Sequence, residues 1–196
     1  MTIFIRRFIL PLFLLGGASF AQASLISSVD MNTGFTSLSL KAGDYAQTLN
    51  SVSSMEFNYN LKHAAYSTSY TMSFFQLFEA DGRKMPMTRF SLGGRWYVKG
   101  HNGERTILDQ GVEGRLWRST PFLGLSFGLA NISVEPLNAS VFEVSPRFGV
   151  EIPLSAQVFL QGQLSLLTGT SMGASEDRSL SYQGLSVLIG IIYSGD

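Results

Sequence analysis

Hydrophobic and polar residues alternate one by one along much of this chain, and the alternation comes in blocks of about ten residues. From Pro121 to Ser133, Leu123, Leu125, Phe127 and Leu129 share one face, and Gly124, Ser126, Gly128 and Ala130 share the other. From Ala156 to Leu166, Val158, Leu160, Leu164 and Leu166 alternate with Gln157, Gln161, Gln163 and Ser165. Near the C-terminus Leu185, Val187, Ile189, Ile191 and Tyr193 lie opposite Gly184, Ser186 and Gly190. Met55, Phe57, Tyr59 and Leu61 alternate in the same way with Ser54, Glu56, Asn58 and Asn60. A period of two is that of a β-strand with unlike surroundings on its two faces.

Counting back from the C-terminus, the pattern predicts eight strands, near 180–193, 155–168, 140–151, 121–133, 105–118, 86–98, 64–79 and 51–61. Ser119-Thr120 before Pro121 and Pro153 after Ile152 mark short turns, and longer polar connections run through 99–104, 135–138 and 168–178. Residues 24–50 stay open between a further short strand around Gly34–Lys41, a periplasmic extension and a segment inside the domain.

A soluble β-sandwich also alternates. Its polar face is rich in Lys, Glu and Thr, whereas here that face carries small residues, glutamines and charges of the kind that occur buried. Charged residues make up 14% of the chain, against about 25% in soluble domains. The fold expected is therefore all-β, an eight-stranded antiparallel up-and-down transmembrane β-barrel over residues 51–196. With the C-terminus periplasmic, the connections 168–178, 135–138 and 99–104 fall outside and the two Pro turns inside. Two connections fit this poorly: 80–85 becomes a long periplasmic turn, and Lys62-His63 a very short external one.

The first residues agree with export. Arg6 and Arg7, the apolar run Phe8–Leu15 and the small-x-small site Ala21-Gln22-Ala23 predict a secretory signal peptide over 1–23. Cleavage after Ala23 leaves 196 − 23 = 173 residues, one domain's worth. Loss of Arg6 and Arg7 changes 14 basic and 14 acidic residues to 12 and 14, a balance that gives no electrostatic argument for nucleic acid. The chain has no cysteine, so neither disulfides nor thiolate metal sites enter.

Carrying the inward parity along each predicted strand places Glu56, Arg89, Arg95, Glu113, Arg115, Glu143, Arg147 and Glu151 on the lumen face. A charge at mid-depth on the lipid face costs about 2–4 kcal/mol, which gives the segregation a physical reason. Inside a narrow barrel each charge needs an opposite partner. These residues are expected to form a lumen ion network, with a charged conduit for a small solute as the sharper alternative.

With this length, signal peptide, alternation and Arg/Glu interior, the chain resembles the small outer-membrane barrels of the OmpA/OmpX type. Ser145-Pro-Arg-Phe-Gly-Val-Glu-Ile-Pro-Leu-Ser155 is similar to a penultimate hairpin in such proteins. The resemblance implies a place in the outer membrane, contact with its lipid, and insertion by the outer-membrane assembly machinery. Tyr182-Gln-Gly-Leu-Ser-Val-Leu-Ile189 keeps part of the C-terminal signal that this machinery reads, although Ser194-Gly195-Asp196 follow Tyr193 where family members end on an aromatic residue.

Candidate chemistry is sparse. Only His63 and His101 exist. Barrel enzymes that modify lipid A use a rim histidine with a serine or an acid, so His101 with Glu104 is the expected pair if the chain is an enzyme. His101 also flanks Asn102-Gly103, a common hairpin dipeptide, and the His-x-Ser spacing of a deacylase is absent. No catalytic residue, metal site or cofactor is assigned. The leading expectation is a non-enzymatic envelope protein with a lumen closed by ion pairs and an external partner of unassigned identity. A lipid A-modifying enzyme and a narrow pore are the alternatives.

Overall fold

The computed structural model describes residues 25–63, 67–78, 86–98, 100, 105–107, 113–115, 118–134, 137–171 and 179–195. The expected signal peptide lies outside them, as do His101 and Glu104. Among the described residues ten strands form: β1 (Leu25–Ala42), β2 (Tyr45–His63), β3 (Thr68–Phe78), β4 (Met87–Tyr97), β5 (Arg105–Ile107), β6 (Glu113–Arg115), β7 (Thr120–Val134), β8 (Leu137–Pro153), β9 (Val158–Ser171) and β10 (Leu180–Ser194). Eight of them close into an antiparallel barrel in the order β1-β10-β9-β8-β7-β4-β3-β2. Closure pairs β1 with β10, from Ser28↔Ser194 to Ala42↔Leu180.

The number of barrel strands is the expected eight, but their roster needs one correction. The segment 105–118 is not a barrel strand. Its ends form β5 and β6, which pair with each other, and β4 pairs directly with β7 through Arg95↔Gly124. The sequence carries the reason, because the face that would have met lipid there includes Gln110 and Arg118. The vacated place belongs to β1, in the segment 24–50 that alternation left open. β1 pairs along nearly its whole length with both β10 and β2.

This exchange turns over the ends of several connections. The strand ends at Leu25, His63, Thr68, Tyr97, Thr120, Pro153, Val158 and Ser194 now share one end of the barrel, the terminal end. The connection after Tyr97 therefore leaves from the terminal end and not from the opposite one. The connection between Phe78 and Met87 joins strands at the far end, and the one between His63 and Thr68 joins them at the terminal end. Both poorly fitting turns are resolved by the correction.

Inside and outside also exchange character along the strands. On β3, Ser69, Thr71 and Ser73 are buried while Tyr70, Met72 and Phe74 are exposed, but further along Phe75 and Leu77 are buried beside a half-buried Gln76. On β9, Gln161, Gln163 and Ser165 give way to Leu167 inside, as Leu164 and Leu166 give way to Thr168 and Thr170 outside. β1 reverses between Thr36 and Leu38, β7 at Ala130, and β8 between Val141 and Glu143. The terminal part of the barrel is thus polar inside and apolar outside, and the far part is the opposite.

A β-bulge helps β2 make the same change. The register between β1 and β2 shifts between Thr36 and Leu38, and Ser51 takes a positive φ of 51°. Its backbone N–H donates to Ser37 Oγ at 3.2 Å. One extra residue flips the facing of all that precede it. Leu49 thereby packs against the apolar interior, on the face that Glu56 and Asn58 occupy further down.

Candidate functional site

The interior is the only place among the described residues where charged groups gather, and it is built from strand parity. Even-numbered positions of β2 below the bulge point inward, which brings Glu56, Asn58, Asn60 and Lys62 into the lumen. Odd positions of β4 and β8 do the same for Arg89, Arg95, Glu143, Arg147 and Glu151. β1 contributes Asp30 and Asn32, and β9 contributes Gln161 and Gln163. Close-packed glycines leave room for the larger side chains. A Cβ at Gly149 would run into the Phe122 ring, and one at Gly169 into the Tyr182 ring.

The charges sort into two groups. Nearer the terminal end, Arg95 reaches Asp30 Oδ2 at 2.8 Å and Glu151 Oε1 at 3.3 Å, and Lys62 reaches Glu151 Oε2 at 2.8 Å. The Tyr97 hydroxyl donates to Glu151 at 2.8 Å, and the Asn60 amide donates to Asp30 at 2.8 Å. Two cations face two carboxylates. Nearer the middle, Arg89 bridges Glu56 and Glu143 at 2.6 Å each, and Arg147 reaches Glu56 at 3.1 Å. The Tyr182 hydroxyl donates to Glu143, and Asn58 and Gln163 donate to Glu56 at 3.0 and 3.1 Å. Again two cations face two carboxylates. Gln161 joins the groups: its Oε1 accepts from Arg95 at 3.0 Å, and its Nε2 donates to Gln163 at 3.3 Å.

Aromatic rings bound this polar core at both ends. The Arg95 guanidinium lies 4.7 Å from the Phe122 ring centre, and the Lys62 ammonium 5.3 Å from that of Tyr97. At the other limit Arg89 lies 4.5 Å from the Phe75 ring centre. Cations over ring faces gain from the ring quadrupole while keeping their hydrogen bonds to carboxylates. Beyond Phe75 the lumen is filled by an apolar cluster that includes Leu38, Leu40, Leu77, Met87, Ile132 and Leu167.

Of the eight charged residues expected in the lumen, six are there: Glu56, Arg89, Arg95, Glu143, Arg147 and Glu151. Glu113 and Arg115 are not part of the barrel wall, because β6 pairs only with β5. Their places in the charge balance are taken by Asp30 and Lys62, so four acids still face four bases. Both had a signal in the sequence. Lys62 continues the even-numbered polar face of its strand, and Asp30 alternates with Val29 and Met31. His63 ends β2 at the terminal end, paired with Leu25. Among the described residues no group of three or more His, Cys, Asp or Glu is gathered as a metal site.

The outer surface completes the architecture. Phe35, Tyr70, Leu92, Leu129, Phe148 and Val187, from six different strands, are each more than half exposed. Such a belt around a closed sheet is what hydrocarbon solvates and water does not. No family model and no curated protein matches the chain. Among solved structures, Neisserial surface protein A matches with a TM-score of 0.51 at 9% identity, over 85% of this chain and 96% of that one. The fold is that of a small outer-membrane β-barrel. The N-terminal β-barrel domain of Pseudomonas aeruginosa OprF also aligns, with a TM-score of 0.49 at 8% identity, over 86% of this chain and 97% of that one.

Proposed function

We propose that this barrel is a non-enzymatic component of the outer membrane, contributing to envelope structure or surface interaction with a lumen that passes no solute. The observation that carries the reading is the doubly filled interior. Two neutral ion-pair groups occupy the terminal and middle levels, and an apolar cluster occupies the level beyond them. A conduit would need mobile water beside its charges, whereas these eight side chains are each at most 5% exposed. Eight-stranded barrels are narrow enough for side chains to fill them. In this reading the terminal end faces the periplasm, and the far end, with the β1–β2 hairpin, faces outward.

The alternative reading is a lipid A-modifying enzyme. That reading rests on His101 with Glu104, which lie outside the described residues. The test compares cells with and without the gene. The expected result is an unchanged lipid A mass spectrum together with altered sensitivity to detergent or large antibiotics. A lipid A species that disappears with the gene would overturn the non-enzymatic reading.

A further inference from the structure

The outer face has its own boundary. On β10 the outward residues run Tyr193, Ile191, Ile189, Val187 and Leu185, and then become Gln183 and Ser181. At the same level the neighbouring strands turn outward Thr168 and Thr170 from β9, and Ser39 and Lys41 from β1. These six polar side chains form a collar directly above the apolar belt. Two adjoining surface grooves of about 500 Å³ each lie across the boundary and share Ser39, Thr168 and Gln183. One reaches down to Leu166 and Leu185, and the other to Phe142 and Val144. Each groove therefore has an apolar lower rim and a hydroxyl- and amide-lined upper one.

We propose that this collar is the surface that meets the lipid headgroups of the outer leaflet, and that the wall beyond it stands in water as a cap. The inference rests on the outer-membrane reading above. It adds where the membrane stops and which side chains its headgroups touch. Hydroxyl, amide and ammonium groups have no partners in hydrocarbon, and headgroup phosphates and carbonyls supply acceptors for all three. The interior supports the same boundary. Where the outside turns polar, the inside turns to Leu38, Leu40, Leu167 and Leu180, the arrangement of a barrel surrounded by water. The height also fits. From Tyr193 to Leu185 is eight residues, about 27 Å along a strand, or roughly 20 Å after a tilt of about 40°, close to the apolar band of about 25 Å in such barrels.

The absence of cysteine makes the test direct. Ser181→Cys and Thr170→Cys report the collar, and Val187→Cys and Leu164→Cys the belt. Each full-length mature variant, refolded in phosphatidylcholine vesicles, carries one nitroxide. The expected result is that a water-soluble nickel chelate relaxes the collar labels several-fold more strongly than the belt labels, with the order reversed for oxygen. Collar labels should also broaden the phosphorus NMR signal of the headgroups more than the Val187→Cys label does. Collar labels as shielded from the chelate as belt labels would place the whole wall in hydrocarbon and overturn the proposal. Belt labels open to the chelate would instead overturn the outer-membrane reading itself, and the collar proposal with it.

Discussion

The lumen between the terminal end and Phe75 is filled by four carboxylates, four cations and their amide partners, whereas the lumen beyond Phe75 is filled by leucine, isoleucine, methionine and valine. Both fillings are set in the same eight strands with the same inward parity, apart from the bulge in β2. What changes with them is the outer face, apolar beside the charges and polar beside the leucines. A closed sheet must present its apolar residues to whatever solvent tolerates them, and the interior takes the remainder. The two regions also differ in how they hold together. The charged region depends on directed pairs in which one carboxylate serves two cations, as Glu56 does for Arg89 and Arg147. The apolar region depends on volume alone, so it tolerates exchange of one hydrocarbon for another.

The largest effect is expected at the shared carboxylate. Glu56→Ala leaves Arg89 with one carboxylate and Arg147 with none of its paired ones, at a cost of about 3–5 kcal/mol in urea unfolding from lipid vesicles. Glu56→Gln preserves shape but not charge and should lose nearly as much. In the apolar region Leu40→Ala opens a cavity and costs about 2–5 kcal/mol, but the near-isosteric Leu77→Met should cost less than about 1.5 kcal/mol. If Glu56→Gln and Leu77→Met were equally mild, the contrast between directed and volume-based packing would fail.

The outer face gives the next comparison. Val187→Arg in the belt should destabilise by about 2–4 kcal/mol, and Ser181→Arg in the collar by about 0–1 kcal/mol. Equal penalties at the two sites would remove the boundary between them. A last, single-atom effect is expected where the two interiors meet. Tyr182 belongs to the apolar cluster but donates its hydroxyl to Glu143, so Tyr182→Phe should cost about 1.5–3 kcal/mol by the same unfolding assay. A neutral Tyr182→Phe would mean that the polar core ends below that ring.

Much of this is legible in the sequence alone. Strands that keep one phase from end to end across the lipid belt, such as β10 with its run from Leu185 to Tyr193, declare themselves by alternation. β1 did not, because its phase reverses within the strand. Val29, Met31 and Phe35 face out, then Leu38 and Leu40 face in, so no single template covers it. The bulge at Ser51 breaks the phase of β2 in the same place. In contrast, residues 105–118 imitate a strand because Glu113 and Arg115 alternate with uncharged neighbours, although Gln110 and Arg118 fall on the face that lipid would have to accept. Alternation therefore balances the charged site but gives Glu113 and Arg115 the places that Asp30 and Lys62 hold. Asp30 lies in the segment whose pattern is scrambled, and Lys62 just past Leu61, where alternation ends the strand two residues before β2 stops at His63.

The proposed function requires that the two fillings together leave no path through the barrel. The decisive measurement is single-channel recording of the mature protein, refolded and shown to migrate as a heat-sensitive compact band, in planar bilayers. The expected result is a silent bilayer for the wild-type chain at every holding potential the membrane tolerates. Discrete, reproducible conductance steps would contradict it, because they would require a water-filled path past both the Arg89–Glu56 group and the leucines beyond Phe75.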